Sequence, residues 1–281
     1  MIAFLGTGLL GANFTKALLR RGEKVNVWNR SPEKAKALEA DGAKAFSDLA
    51  EAVKGAQRVH LTLSDDKSVD EVLKAASAGF SKGAVIVDHT TTSAPGAAKR
   101  AEQWKKEGVH YIHAPVFMGP PNALEGSGTM MVSGDQQVIK SIEPELSKMT
   151  GKLLNFGDDP SKAAAIKLLG NLFHISLLGG ITDMINLAGA LNVPATDLGA
   201  LFEILNPGGV AQARVKKITS NTFDKASWEL AMARKDARLM MEQAAAADKE
   251  LLVIPSVAKK MDRWLDKGHA KDDWTILSQE A

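Results

Sequence analysis

The chain opens on an apolar run, Ile2-Ala3-Phe4-Leu5, closed by a glycine-rich turn and followed by helical spacing over residues 12–21. Short apolar runs then recur between stretches of helical period. The pattern predicts strands at Ile2–Leu5, Lys24–Trp28, Arg58–Leu63, Ala84–Asp88, Val109–Ala114, Thr129–Val132 and Leu153–Phe156. Helical periodicity lies between them, for example over Ser93–Lys106 and Gln136–Lys148. Strand–helix alternation predicts an α/β fold, a Rossmann-type doubly wound parallel sheet. Ligands of such sheets sit at the carboxyl ends of the strands.

After Asp159-Pro160 the texture changes. One long helical pattern runs from Ser161 to Leu191 and stops at Asn192-Val193-Pro194. Further helices are expected at Ala195–Leu205, Val210–Thr219, Trp228–Ala247 and Val257–Lys267, with no strand signal among them. The expectation is a nucleotide-binding domain over residues 1–159 and an all-α domain over 160–281, joined by the long helix. The second domain would complete the substrate pocket and carry subunit contacts. Leu168–Leu191 is long enough to tempt a membrane reading. Asn171, His174, Asp183 and Asn186 interrupt it, so a helix buried in protein is expected, with no membrane partner. Ile2–Phe14 lacks a preceding basic region and is cut by three glycines, unlike a secretory signal.

Composition narrows the classes. The chain has 281 residues, 45% hydrophobic, with a net charge of +2, which fits a globular protein without strong polyanion attraction. No basic stripe interleaved with aromatics is present, so nucleic acid is not an expected partner. There is no cysteine, which excludes disulfides, thiolate catalysis and cysteine metal sites, and suits the cytoplasm. No His/Glu cluster of metal-ligand spacing appears, so no metal is expected. The many Leu, Met and Ala positions of the helical part point to burial against another subunit, as a homodimer or homotetramer.

The candidate chemistry begins in the first turn. Gly6-Thr7-Gly8-Leu9-Leu10-Gly11 lies between a strand and a helix, the context of a dinucleotide-binding loop. Gly6 permits the tight turn, Gly8 lets a pyrophosphate approach the backbone, and Gly11 lets helix and strand pack closely. The helix N-terminus supplies free N–H groups and partial positive charge. Strand two ends in Trp28-Asn29-Arg30-Ser31-Pro32. Asn29 stands where NAD-binding chains usually place an acid on the ribose 2′-hydroxyl. A carboxylate would repel a 2′-phosphate, whereas Asn29 does not, and Arg30 and Ser31 can pair with one. NADP(H) is therefore expected over NAD(H). Ser31 also suits a helix cap with Pro32 in the first helical position. Leu63 and Ser64 fall at the carboxyl end of the Arg58–Leu63 strand, on the expected cofactor side.

On the long helix, Lys167, Asn171 and His174 are spaced i, i+4 and i+7, on one face of an otherwise apolar segment. Partial burial would lower the affinity of Lys167 for its proton and suit it to proton exchange near neutral pH. A lone helical lysine is also a common snorkelling residue, and His174 suits a core or interface position equally well.

These segments resemble the β-hydroxyacid dehydrogenases, the group of 3-hydroxyisobutyrate dehydrogenase and the glyoxylate/succinic semialdehyde reductases. IAFLGTGLLGANFTKALLRRGEKVNVWNRSPEK matches the family's cofactor segment, and VDHTTTSAP at 87–95 its D-x-S-T-x-S-P loop. The resemblance implies that Thr90 and Thr91 lie near the nicotinamide ribose. It implies that Lys167 transfers the proton, that Asn171 helps hold substrate, and that Lys235, of the Lys235-Asp236 pair, approaches the cofactor. It further implies a helical domain like that of 6-phosphogluconate dehydrogenase.

HAPVFMGPPNALEGSGTMMVSGD at 113–135 is similar to the D-A-P-V-S-G-G substrate segment, with departures. Phe117-Met118-Gly119 replaces S-G-G, where the resemblance implies a hydroxyl and amides on a substrate carboxylate. His113 replaces the aspartate, Asn122 replaces a glycine, and Ser161 and Ala163 stand where glycines are common. The expected activity is reversible hydride transfer between NADP(H) and a carbonyl or hydroxyl carbon of a small molecule, such as a semialdehyde or 3-hydroxy acid. Phe117, Met118, Gly119, Asn171 and His174 would face that substrate. The alternatives are imine reduction, which the apolar Phe117 and Met118 favour and Lys167 opposes, and a non-catalytic NADP(H)-binding module.

Overall fold

A computed structural model describes residues 1–280. The chain forms two compact units, one of Met1–Asn171 and one from Leu172 onward.

In the first unit, a six-stranded sheet is built from β1 (Ile2–Leu5), β2 (Val25–Trp28), β3 (Lys44–Ala45), β4 (Arg58–Leu61), β5 (Val85–Asp88) and β6 (His110–His113). Its order is β3-β2-β1-β4-β5-β6, and every pairing is parallel. The crossover helices are α1 (Leu9–Arg20), α2 (Pro32–Lys36), α3 (Leu49–Val53), α4 (Asp66–Ala76) and α5 (Ala94–Lys106). The order reverses at β1, so a crevice opens beyond the carboxyl ends of β1 and β4.

Both faces of this sheet are covered, and strand alternation divides the core in two. Ile2 and Phe4 of β1 join one cluster, with Phe14, Val27, Val87 and Ile112. Ala3 and Leu5 join the other, with Val59, Leu61, Ile86 and Trp104.

The expected strands at 129–132 and 153–156 leave the main sheet. β7 (Val116–Phe117), β8 (Thr129–Val132) and β9 (Lys152–Asn155) form a second sheet in the order β7-β8-β9, with α6 (Pro120–Glu125) and α7 (Gln136–Ser147) between them. β7 and β8 pair antiparallel, because only a short connection through α6 separates them. β8 and β9 pair parallel across α7.

α8 (Lys162–Ala190) runs unbroken for 29 residues. Its first turns belong to the first unit and its remainder to the second. The second unit adds α9 (Leu198–Ile204), α10 (Pro207–Thr219), α11 (Leu230–Ala246) and α12 (Ile254–Asp266). Leu230, Ala233, Met261, Trp264 and Ile276 are its core. No strand occurs there among the described residues.

α8 departs from the expected buried helix. It is long and apolar enough to cross a membrane by length and composition, and only 11% of that window is buried. Leu169, Ile175 and Leu178 are 60%, 71% and 65% exposed. The polar interruptions explain how it is held. Buried Asp183 accepts N–H groups from Leu252, Val253 and Ile254, and Asn186 Nδ2 donates to Glu250 O. The chain thus grips α8 along one edge and leaves much of its apolar surface to solvent.

Candidate active site

The glycine loop takes the form a dinucleotide requires. Gly6 has φ +92°, and a Cβ there would lie 2.2 Å from Thr62 O. A Cβ on Gly11 would lie 2.0 Å from Gly6 O, so the α1–β1 contact needs a bare backbone. Gly8 is the N-cap of α1, gives no side-chain cap, and no acid follows in the first turn. A Cβ on Gly8 would meet nothing within 4 Å. The N–H end of α1 therefore faces open space with its charge uncompensated, which suits a diphosphate. Leu9 is exposed beside it, Leu10 is half-buried and Thr7 is buried.

Beside this loop, Thr7 N–H donates to Asn29 Oδ1 at 2.9 Å, and Asn29 Nδ2 donates to Ser31 O at 3.0 Å. Asn29 thus ties the glycine loop to the end of β2. Ser31 is the N-cap of α2, with Pro32 following, but its hydroxyl makes no capping hydrogen bond. Arg30 is exposed next to it. The cationic and hydroxyl groups that sequence analysis assigned to a 2′-phosphate are uncommitted to the fold, while Asn29 is committed.

Across β4 and β5, Leu63 N–H donates to Thr90 Oγ1 at 2.9 Å. Thr90 is buried and Thr91 exposed. Ser64 Oγ pairs with Ser68 Oγ at 2.8 Å near the start of α4.

A polar network with no signature in residue spacing braces this loop. Asp88 Oδ1 accepts Thr90 N–H at 2.9 Å, and Asp88 Oδ2 accepts the Tyr111 hydroxyl at 2.6 Å. Arg100 Nε donates to Tyr111 Oη at 3.1 Å, and its other nitrogens reach Asp66 and Asp70. Burial, reinforced by Asp88, holds the Tyr111 hydroxyl well above its usual pKa. His113 Nε2–H donates to Thr90 O at 2.9 Å, which a carboxylate at that position could not do. Burial lowers the His113 pKa, so the ring is neutral.

The catalytic candidates meet at the start of α8. Lys167 is half-buried, and desolvation lowers its pKa from the usual lysine value. Its Nζ stands 4.0 Å from the centre of the Phe117 ring at the end of β7. Asn171 is half-buried one turn further on. His174 lies in the second unit, exposed, with its ring 6.5 Å from that of Phe173. Met118 is half-buried, and Gly119 caps α6 with its N–H donated to Asn122 Oδ1 at 2.9 Å. Lys235, on α11 of the second unit, is exposed and paired to Asp236 at 2.7 Å.

Residues 1–157 match the family model described as the NAD binding domain of 6-phosphogluconate dehydrogenase. The chain belongs to this family. Its relatives include the mitochondrial 3-hydroxyisobutyrate dehydrogenase of Drosophila melanogaster, 26% identical over 290 residues, covering 98% of this chain and 87% of the relative. An uncharacterized oxidoreductase of Bacillus subtilis is 22% identical over 279 residues, 98% of each. Among solved structures, the imine reductase of Myxococcus stipitatus in complex with NADP+ has a TM-score of 0.89 at 19% identity, covering 99% of this chain and 98% of that one. A variant of that reductase was solved with NAD+. This family member is a pyridine-nucleotide-dependent oxidoreductase with a Rossmann-like unit followed by helices.

Proposed function

We propose that this oxidoreductase uses NADP(H) and interconverts a carbonyl and a hydroxyl group on a small molecule, with Lys167 as the proton donor and acceptor. The observation that carries the reading is the half-buried Lys167, its pKa lowered by desolvation, packed on an aromatic face at the start of α8. When bound, the nicotinamide supplies or accepts the hydride. Lys167 Nζ gives its proton to the substrate oxygen during reduction and regains one from solvent. In oxidation the neutral amine takes the hydroxyl proton. Its lowered pKa makes Lys167 a readier proton donor than an ordinary lysine. Asn171, one helical turn on, would hold the substrate oxygen in line. The first turn of α1 would hold the diphosphate, and Thr90, fixed by Asp88, would stand beside the nicotinamide ribose.

NADP(H) preference rests on the uncommitted Arg30 and Ser31 and on the amide, not acid, at Asn29. Reduction of C=N is the second reading, favoured by the apolar Phe117 against Lys167 and by Met118 next to it in the chain, neither of which offers a hydroxyl. The exposed apolar flank of α8 fits a homodimer or homotetramer. Sedimentation that returns the monomer mass at micromolar concentration would remove the oligomer.

Side-by-side NADPH and NADH oxidation with aldehydes, ketones and cyclic imines tests the reading. Lys167→Ala is expected to cut carbonyl turnover by about 10²- to 10⁴-fold with little change in cofactor affinity. Undiminished turnover would take Lys167 out of the mechanism.

A further inference from the structure

The segment bordering Lys167 offers an anion neither a side-chain donor at Phe117 and Met118 nor a free amide at Gly119. Phe117 and Met118 have none in their side chains. Gly119 N–H is spent on Asn122 Oδ1 at 2.9 Å. One hydrogen of the Asn122 amide is held by Ser127 Oγ at 3.0 Å. A substrate carboxylate enclosed here would lose water and regain few hydrogen bonds from this segment.

The ammonium itself is flanked by an aromatic ring. Lys167 Nζ lies 4.0 Å from the Phe117 ring centre, a cation–π contact that satisfies the charge from that side without an anion. The ring reaches this place because Gly170, one turn along α8, has no side chain. A Cβ on Gly170 would sit 2.2 Å from Phe117 Cζ. Gly128 completes the fit, since a Cβ there would lie 2.9 Å from Met118 Cγ and 3.0 Å from Phe117 O. The ring is only half-buried, so part of it remains to cover an apolar substrate flank.

We propose that Phe117, Asn122 and Gly170 set the substrate class: uncharged carbonyl compounds with an apolar flank are taken, and carboxylate-bearing analogues are turned away. This rests on the reading of Lys167 as the proton donor. Phe117 supplies the apolar wall, Gly170 the room for it, and Asn122 blocks the amide that an anion would use.

Butanal and succinic semialdehyde are a matched pair, differing in a terminal methyl against a carboxylate. With NADPH, the unmodified chain is expected to favour butanal in kcat/KM by at least about tenfold, the worth of one lost charged hydrogen bond. Phe117→Ser combined with Asn122→Gly returns a hydroxyl and a free amide, and should bring the ratio to unity or reverse it. Phe117→Leu keeps an apolar wall and should keep the preference. A preference of the unmodified chain for succinic semialdehyde, or a ratio unmoved in the double variant, overturns the proposal.

A turnover-free arm separates this from the catalytic reading. Ligand-observed NMR of the NADP+-loaded chain should detect 1-butanol and not 4-hydroxybutyrate, with the acid gaining binding in the double variant. If neither aldehyde turns over but this pattern holds, the proton role of Lys167 fails and the selectivity stands. Equal binding of acid and alcohol to the unmodified chain sinks the selectivity whatever the turnover.

Discussion

His60 Nδ1 and His89 Nε2 lie 3.0 Å apart, both rings buried, in a stack with Phe4 and Phe14. His89 Nδ1 faces Ala114 O at 2.7 Å and must donate to it. His89 Nε2 is therefore the acceptor, His60 Nδ1 the donor, and His60 Nε2 is left bare. One proton order satisfies this chain of atoms; it requires His89 to be neutral, and burial disfavours a charge on His60 as well.

Acid should therefore weaken the first unit. Burial lowers His89 to about 4, and burial together with His89 lowers His60 well below its usual value. An unfolded histidine binds its proton near pH 6.5. Between these values the unfolded chain holds protons that the folded one refuses, so stability is full above about pH 6.5 and is lost as pH falls towards 4. For His89 alone the loss is roughly 3 kcal/mol. Urea denaturation across this range should show it, and His60→Phe should flatten the profile. Identical profiles for the two proteins would contradict the assignment.

Removing Asp88 should loosen the cofactor loop from beneath. Asp88→Ala leaves Thr90 N–H and the Tyr111 hydroxyl without their acceptor. The expected cost is roughly 3 kcal/mol in thermal or chemical unfolding, with weaker NADPH binding in whatever folds. A loss below about 0.5 kcal/mol would show that the network relaxes around the gap.

A methyl group at residue 170 should collide with Phe117 and not with the helix. Gly170→Ala is expected to destabilise by about 1–3 kcal/mol, despite alanine's better helix propensity. In a Phe117→Ala background the same change should be neutral or favourable. Additive effects in that double-mutant cycle would mean that the two positions do not touch in solution.

Cofactor choice should depend on Arg30. Arg30→Ala is expected to weaken NADPH at least about tenfold and NADH by less than about twofold. Fluorescence titration with each cofactor separates the cases, and equal weakening would refute the preference.

Much of this architecture was legible in the chain. Short apolar runs marked the strands of the main sheet, because those strands are buried on both faces, and one long uninterrupted helical pattern marked the long helix. β3 and β7, two residues each, carry too little pattern to be read. The split into two sheets was equally invisible, since partner choice by β8 and β9 depends on distant backbone. Lys167 and the glycine loop stood out as candidates from spacing, context and resemblance. The Asp88–Tyr111–Arg100 network was not, because its members are brought together only by the parallel register of β5 and β6. The buried state of α8 was misread because the charged and amide residues in it hold only one edge. The partnership of Gly170 with Phe117 leaves no trace in spacing at all.

Asn29 also constrains redesign. Under the proposed NADP(H) reading, turning the chain toward NAD(H) invites an Asn29→Asp exchange, which would offer an acid to the adenosine ribose. That exchange would turn an oxygen onto Ser31 O, where an amide hydrogen now points, and set two lone pairs face to face. The same atom group latches Thr7. An aspartate would keep its hold on the Thr7 N–H and lose the tie to Ser31, so under the proposed cofactor reading a change of preference at this residue also unfastens the start of α2.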